Sequence, residues 1–340
     1  MKIFITGGAG FIGCNSANTF LQQGHTVIIF DNMSRKGGPA NLEWLHENHG
    51  NERLHIVRGD IRDYEALTKA MDRSLDAVLH LAGQVAVTTS VQNPREDFEI
   101  NALGSFNVLE AVRHCCPESA VLYASTNKVY GGMEEVGFIE QPTRYTYADY
   151  PLGIPESYPL DFHSPYGCSK GTGDQYSLDY ARIYGLKTLV LRQSCIYGRR
   201  QFGVEDQGWL AHFIIAAVKK RPITIFGDGK QVRDVLHVDD LIRAYQLGIS
   251  QIDELSGTAL NLGGGPANTI SIWTEFKPLL ENLLEEEIPV IYKDWRPGDQ
   301  RVFIANIQQA ARKLGWQPTI SPQMGIRDLY TWISTHPHLF

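Results

Sequence analysis

Short apolar runs alternate with stretches of helical periodicity through the first half of the chain. The apolar runs, each long enough for a buried strand, are Lys2–Thr6, His25–Phe30, Leu54–Val57, Ala77–Ala82 and Ala120–Ser125. Between them lie segments with helical spacing of apolar residues, for example Asn107–Val112. A repeated strand–helix–strand succession is typical of a parallel sheet covered by helices on both faces. The pattern therefore predicts an α/β protein with a doubly wound parallel sheet.

The second half of the chain is less regular. Leu189–Arg192 and Ala259–Leu262 have the composition of strands that return to the same sheet. We therefore predict a larger domain from residues 1–198, joined by a strand near 259–265, and a smaller C-terminal domain formed mainly by residues 199–340. The stretch from Thr143 to Pro165, rich in proline and tyrosine, is predicted to be a loop over the cleft.

The first strand runs directly into a glycine-rich turn. Gly7, Gly10 and Gly13 follow the spacing Gly-x-x-Gly-x-x-Gly, and a helix should begin at about Phe11. Such glycines permit a tight turn, close approach of a pyrophosphate to the backbone, and close packing of helix on strand. Taken alone, this loop could be an ordinary turn. However, the second strand ends in Asp31, 18 positions beyond Gly13, where a carboxylate would bind adenosine ribose hydroxyls. This spacing predicts a Rossmann-type dinucleotide-binding domain.

The same acidic residue bears on the choice of cofactor. The Asp31 carboxylate would repel a 2′-phosphate, so NAD is favoured over NADP. Arg35 is close enough in sequence to accept such a phosphate, so NADP stays an alternative cofactor.

Composition narrows the class of protein. The 340 residues are 43% hydrophobic, as in a globular protein with a large core. The net charge is −7 and there is no basic block, so we expect no nucleic-acid partner. No apolar stretch reaches the length of a membrane span and no signal-peptide pattern opens the chain, so we expect no membrane partner. Five cysteines without metal-ligand spacing predict reduced thiols in the cytoplasm and no metal site.

Candidate chemistry lies after the fifth strand. Tyr166 and Lys170 are four residues apart, so their side chains would share one face of a helix. The Lys170 ammonium is expected to lower the pKa of Tyr166, which suits a general base near neutral pH. Solvated Tyr/Lys pairs have the same spacing. Thr126, at the end of the strand, is placed to hydrogen-bond a substrate oxygen, although its hydroxyl would also suit a helix cap.

These features occur in one order with Gly59-Asp60, His80–Gly83, Asn101–Gly104 and Ser125–Gly131. Together they resemble the extended short-chain dehydrogenase/reductase family, in its nucleotide-sugar branch, over nearly the whole chain. The resemblance implies a catalytic triad of Thr126, Tyr166 and Lys170. It also implies NAD as cofactor, with contacts from Gly7, Gly10, Phe11, Ile12, Gly13, Asp31, Asn32, Arg35, Asp60, Ile61, Leu81, Ala82, Gly83, Asn101, Tyr166 and Lys170.

Two sequence segments indicate one group within the nucleotide-sugar branch. Ser125–Gly131 and Cys195–Trp209 are similar to those of the CDP-paratose 2-epimerase group, also called CDP-tyvelose 2-epimerases. This resemblance implies an isomerase that inverts C2 of a hexose by transient oxidation to a keto-sugar and re-reduction, as in lipopolysaccharide O-antigen biosynthesis. Nucleotide-sugar 4,6-dehydratases carry an Asp-Glu pair where this chain has Asn127-Lys128, which argues against dehydration.

Other activities remain open on the same scaffold. Nucleotide-sugar 4-epimerases and UDP-hexuronate decarboxylases or epimerases share the triad, and the nucleotide base is open among CDP, GDP and UDP. A reductase that consumes free NADH is a further alternative. A non-catalytic dinucleotide-sensing protein is another, against which the presence of Tyr166 and Lys170 argues.

The resemblance also implies how the partner molecules bind. Arg233 and Arg296 match positions that hold the diphosphate of a nucleotide-diphosphate sugar, and guanidinium groups suit such oxygens. Without the family context, both would be read as surface arginines. The other expected substrate contacts are Asn127, Cys195, Gln207 and Asp299. The resemblance further implies a homodimer or homotetramer that pairs through helices, including the one that carries Tyr166 and Lys170.

Overall fold

The computed structural model of the protein describes residues 1–295 and 300–340. Its strands are β1 (Lys2–Thr6), β2 (Thr26–Asp31), β3 (Leu54–Arg58), β4 (Ala77–His80), β5 (Ala120–Thr126), β6 (Phe138–Glu140), β7 (Tyr145–Tyr147), β8 (Thr188–Gln193), β9 (Ile196–Tyr197), β10 (Ile223–Phe226), β11 (Val232–Asp234), β12 (Leu236–His237), β13 (Thr258–Leu262), β14 (Thr269–Ser271), β15 (Val290–Lys293) and β16 (Val302–Phe303).

The helices connect and cover these strands. They are α1 (Phe11–Gln22), α2 (Gly38–His49), α3 (Tyr64–Ala70), α4 (Val87–Gln92), α5 (Pro94–Phe98), α6 (Gly104–Cys115), α7 (Ser164–Tyr184), α8 (Trp209–Val218), α9 (Val238–Ser250), α10 (Ile252–Leu255), α11 (Phe276–Leu284), α12 (Gln308–Leu314) and α13 (Pro322–Thr335). A π-helical turn, Glu99–Leu103, joins α5 to α6. Within the described residues, no helix combines the length and apolar character needed to cross a membrane.

The largest sheet in residues 1–295 and 300–340 has seven strands in the order β13-β8-β5-β4-β1-β2-β3. Its strands β1 to β5 pair in parallel, with Phe4 of β1 between Ile28 of β2 and Val78 of β4. The order reverses direction at β1, as expected for a doubly wound sheet, and ligands bind such sheets beyond the carboxyl ends of the strands. The predicted α/β fold is confirmed.

Two local predictions were wrong. The predicted strand Ala77–Ala82 ends at His80, because the Leu81 and Ala82 amides turn to the Thr6 hydroxyl, each at 3.2 Å. The predicted loop from Thr143 to Pro165 contains β7, which pairs with β6 as an antiparallel hairpin. Tyr147 stabilises that hairpin by donating its hydroxyl proton to the Val302 carbonyl at 3.0 Å.

The chain forms two compact units, and neither is one continuous segment. Unit 1 comprises Met1–Val129, Phe162–Arg192 and Ile242–Leu260, and unit 2 comprises Tyr130–Asp161, Gln193–Leu241 and Asn261–Phe340. The predicted domain boundary at residue 198 stays a prediction.

Each unit has its own apolar core. In unit 1, residues of the sheet and of the helices packed on it are buried together, among them Phe4, Phe30, Val78, Val108 and Val121. In unit 2, aromatic and branched side chains of several helices form a separate core, among them Ile214, Trp273, Phe276, Leu329 and Ile333. The burial of these apolar surfaces is the main stabilising contribution to each unit.

Candidate active site

The turn between β1 and α1 leaves no room for side chains. Gly7 has a φ of +71°, and a Cβ atom there would lie 2.7 Å from the Ala82 amide nitrogen. A Cβ on Gly13 would press on the carbonyl oxygen of Gly7. The turn is closed by hydrogen bonds from the Gly10 amide to the Gly7 carbonyl (3.1 Å) and from the Cys14 amide to the Gly10 carbonyl (2.8 Å). Helix α1 begins at Phe11, as predicted. The backbone N–H groups at the start of a helix can bind phosphate oxygens, so a pyrophosphate could approach the turn here.

Asp31 ends β2 beside this turn. Its Oδ2 accepts a hydrogen bond from the Ala9 amide (3.0 Å), and its Oδ1 accepts one from the Met33 amide (2.8 Å). Burial raises the pKa of Asp31, while these two amides and the Arg35 charge oppose the rise. A carboxylate fixed at the end of the second strand suits ribose hydroxyls. The turn and this carboxylate together fit a dinucleotide.

Asp60, expected near the adenine, is held by hydrogen bonds from the Arg62 and Asn32 side chains. The Arg62 side chain donates to its two oxygens at 3.0 and 2.8 Å, and Asn32 donates to Oδ2 at 2.9 Å. These donors lower the pKa of Asp60 to about 2. The Ile61 side chain is buried in the core of unit 1, so only its backbone is left for the predicted cofactor contact.

Arg35 extends toward the expected reaction centre. Its Nη2 donates to the Gly83 carbonyl at 3.4 Å, and its charge acts on Tyr166 as well as on Asp31. A Cβ atom on Gly83 would lie 2.9 Å from Asn101 Oδ1 and 3.9 Å from Lys170 Nζ. The predicted cofactor residues Arg35, Gly83 and Asn101 therefore lie together beside α7, which carries Lys170.

Thr126, Tyr166 and Lys170 also lie together in unit 1. Tyr166 and Lys170 are in the first two turns of α7, and Thr126 is the last residue of β5. The Thr126 hydroxyl acts on the Tyr166 phenol and opposes the rise of its pKa. The Tyr166 amide donates to the Ser90 hydroxyl at 3.1 Å, which anchors the start of the helix.

The expected effect of Lys170 on Tyr166 is corrected by the structure. Burial raises the pKa of Tyr166, and the opposing contributions come from Thr126 and Arg35 rather than from Lys170. The Lys170 Nζ instead lies over the Tyr123 ring, 4.3 Å from the centroid. Burial lowers the pKa of Lys170 itself to about 7, although Asp174 and Asp97 oppose this. The ammonium is therefore only partly populated at neutral pH.

A buried ion pair lies one helical turn beyond Lys170. Asp174 accepts hydrogen bonds from Arg192 Nε and Nη2, each at 3.0 Å, and from the Ser125 hydroxyl at 2.7 Å. Ser125 precedes Thr126 in β5, so the pair connects α7 to the strand that carries Thr126. It fixes the relative position of these two elements.

The predicted substrate residues are distributed over both units. Asn127 follows β5 in unit 1, and its Oδ1 accepts a hydrogen bond from the Thr126 hydroxyl at 3.3 Å. Unit 2 holds Cys195 between β8 and β9, Gln207 in the turn before α8, and the buried Arg233 in β11. Arg296 and Asp299 lie outside the described residues.

Several residues around the triad were missed by the sequence reasoning. Asp174 follows Lys170 by four positions, so the helical spacing that paired Tyr166 with Lys170 would have found it. Asp97 and Gln84 have no such signal, because only the tertiary fold brings them to α7.

A strand–glycine–helix turn, a carboxylate ending the second strand and a buried Tyr–Lys helix face beside a strand-end threonine define a nicotinamide-dependent enzyme of the extended short-chain type. The chain belongs to the NAD dependent epimerase/dehydratase family, whose pattern matches residues 3–263. This confirms the family predicted from the sequence.

Individual relatives match over the full length. CDP-paratose 2-epimerase of Salmonella typhi is 47% identical over 341 residues, which cover 98% of this chain and 100% of that protein. A putative UDP-glucose 4-epimerase of Methanocaldococcus jannaschii is 31% identical and covers 98% of this chain and 99% of its own. Among solved structures, UDP-glucuronic acid 4-epimerase from Bacillus cereus, in complex with UDP-glucuronic acid and NAD, is similar with a TM-score of 0.84 at 27% identity, covering 98% of this chain and 99% of that one.

Proposed function

We propose that this protein is an NAD-dependent isomerase that inverts C2 of a CDP-linked hexose, in the manner of the interconversion of CDP-paratose and CDP-tyvelose. The observation that carries the proposal is the 47% identity along the whole chain to a protein named CDP-paratose 2-epimerase, compared with 31% to a putative 4-epimerase. The triad geometry in unit 1 supports the reaction class.

The residues that would hold NAD are those of the glycine turn for the phosphates and Asp31 for the ribose hydroxyls. Gly83 lies farther along, beside Lys170 of the proposed triad. When bound, NAD supplies the reversible two-electron oxidation of a carbinol carbon.

The protein residues then control the proton. Tyr166 accepts the proton of the C2 hydroxyl at its own phenolic oxygen and returns it when the sugar is reduced again. Thr126, whose hydroxyl acts on the Tyr166 phenol, orients the sugar hydroxyl between them. Because burial raises the pKa of Tyr166, the phenolate needs the nearby positive charge of Arg35, which opposes that rise.

Inversion requires the sugar to present both faces while its nucleotide stays bound. Arg233 and Arg296 are proposed to grip the diphosphate, since guanidinium groups bind such oxygens bidentately. Asn127, Cys195, Gln207 and Asp299 are proposed to contact the nucleotide or sugar.

The residue beside the triad argues against dehydration. The Asn127 amide oxygen accepts a hydrogen bond from the Thr126 hydroxyl, and an amide carries no proton that it can donate as an acid at neutral pH. A dehydratase needs an acid/base pair at this point. An epimerase does not, because the same tyrosine serves both half-reactions.

A proton NMR time course tests the proposal. Purified protein with CDP-paratose and no added cofactor should generate a new anomeric signal of the C2 epimer. Tyr166→Phe should retain NAD but lose about 10²–10⁴-fold in turnover, since a positioned general base contributes that much. C4 epimers from UDP-glucose, or release of carbon dioxide from a UDP-hexuronate, would favour the alternatives. Steady consumption of added NADH would instead identify a reductase.

We also infer that two copies of the chain associate through α6 and α7. These neighbouring helices expose large apolar side chains that a monomer would leave in water, namely Phe106, Tyr176, Ile183 and Tyr184. Light scattering should give the mass of a dimer or tetramer, and Tyr176→Glu combined with Ile183→Glu should shift it toward the monomer. A monomeric wild-type protein would refute this inference.

The five free cysteines support the proposed location in the reducing cytoplasm.

A further inference from the structure

A second buried acid lies against the catalytic helix and has no role in the mechanism above. Asp97, in α5, is 1% exposed. Its Oδ2 accepts a hydrogen bond from the Ser169 hydroxyl at 2.6 Å, and its Oδ1 accepts one from Gln84 Nε2 at 2.9 Å. Ser169 directly precedes Lys170, and its hydroxyl is also 3.2 Å from the Tyr166 carbonyl oxygen.

The π-helical turn after α5 completes this network. Asn101 lies in that turn, and its Nδ2, which has two protons to donate, is within hydrogen-bond distance of Asp97 Oδ1 (3.1 Å), the Ser169 hydroxyl (3.2 Å) and the Gln84 carbonyl (3.0 Å). Its Oδ1 accepts a hydrogen bond from the Gln84 amide at 2.9 Å. Such π-turns occur frequently at functional sites. Here the Asp97 carboxylate and the Asn101 amide both contact Gln84 and Ser169.

All hydrogen-bond donors to Asp97 are neutral, and in the described parts of the chain Asp97 forms no ion pair. A buried carboxylate is costly unless a cation compensates it. The cation on which its charge acts is Lys170.

We propose that Asp97 is a positioning residue of the reaction centre: through Ser169 and Asn101 it fixes the turn of α7 that carries Tyr166 and Lys170, and its negative charge favours the ammonium form of Lys170. The proposal rests on Tyr166 and Lys170 forming the reaction centre of the proposed function.

The charges around Lys170 determine whether removal of the Asp97 charge raises or lowers the pKa of Lys170. The titratable groups that face it are Asp97 from α5, Asp174 from α7, Tyr123 from β5 and His80 from β4. Burial lowers the pKa of His80 to about 3, so His80 contributes no charge at neutral pH. Removal of the Asp97 charge must therefore lower the pKa of Lys170. It must lower the pKa of Tyr166 as well, because Asp97 raises that pKa too.

The test measures these pKa values without any sugar substrate, so its outcome is independent of the proposed function. The protein is labelled with ¹³C-lysine and ¹³C-tyrosine, and the NMR signals are assigned with Lys170→Met and Tyr166→Phe. In the wild type, Lys170 should titrate near 7. In Asp97→Asn, the Lys170 pKa should fall by about one unit, and the pKa of Tyr166 should fall with it.

Three further variants separate charge from structure. Asp97→Glu keeps the charge and should titrate close to the wild type. Ser169→Ala keeps the charge but loses the hydrogen bond, so it should lower kcat with little change in the Lys170 pKa. Asp179→Asn removes an exposed charge from the same helix and should change neither quantity.

If Asp97→Asn does not fold, Asp97→Ser provides a second neutral variant that still offers a hydroxyl to Ser169. An unshifted Lys170 pKa in either neutral variant, with a native circular dichroism spectrum, would overturn the proposal.

Discussion

Replacement of Arg192 by methionine should destabilise the protein strongly, because it leaves Asp174 buried without its cationic partner. The side chain of Asp174 is fully buried and that of Arg192 is 4% exposed. In the variant, Asp174 would keep only its neutral donors, the Ser125 hydroxyl at 2.7 Å and Gln175 Nε2 at 2.9 Å.

The size of the effect follows from the two lost contacts. Each hydrogen bond from Arg192 to the carboxylate, at 3.0 Å, contributes about 1.5–3 kcal/mol. Methionine fills part of the vacated volume and recovers some apolar burial. Breaking a buried pair from one side costs about 3–5 kcal/mol. At about 2–4 °C for each kcal/mol, the melting temperature should fall by roughly 6–20 °C.

Urea and thermal unfolding followed by circular dichroism measure this change. Arg182→Met is the matched control, because Arg182 pairs with Asp179 on the exposed side of α7 at 3.4 Å, and such pairs contribute about 0–1 kcal/mol. The double variant Asp174→Leu/Arg192→Met should recover most of the loss, since it removes both buried charges. If Arg192→Met were no less stable than Arg182→Met, the reasoning about the buried pair would be refuted.

Three further predictions concern the cofactor turn and the titrating groups. Gly13→Val should abolish retention of NAD, because its side chain would meet the Gly7 carbonyl; purified variant that releases a full equivalent of NAD on denaturation would contradict this. The pKa of Lys170 is about 7 in the folded protein and 10.5 as its reference value, so the unfolded chain binds more protons between these values and stability should rise with pH from 7 toward 10. Lys170→Met should lose this rise in urea midpoints, and an identical pH dependence in both proteins would exclude the assignment. The pKa of Asp60 is lowered to about 2, so its stabilising pair with Arg62 should be lost as the pH falls from about 4 to 2; Asp60→Asn should flatten the acid unfolding curve there.

Much of unit 1 could be predicted because its signals are local. Strand length, glycine spacing and the position of Asp31 each depend on a few neighbouring residues, and they identified β1, α1 and β2 correctly. The helix that carries Tyr166 and Lys170 was also predicted correctly, since a spacing of four residues suits one face of a helix.

The electrostatics of the site could not be predicted in this way. The pKa of Tyr166 depends on burial and on Arg35, which lies 131 positions earlier in the chain. The Lys170 ammonium lies over the Tyr123 ring, and no sequence spacing encodes that contact. Asp97 reaches Ser169 across 72 positions. The hairpin of β6 and β7 was missed because its flanking proline and polar residues resemble those of a loop.

The interleaving of the two units has a consequence for biosynthesis. Unit 1 is not complete until residue 260 has been made, which at about 5–20 residues per second takes a ribosome roughly 13–52 s. Until β13 emerges, β8 presents an unpaired strand edge to the other chains of a polysome. Such edges pair readily with foreign strands, so the nascent chain should depend on chaperones that bind near the ribosomal exit tunnel far more than the finished protein does.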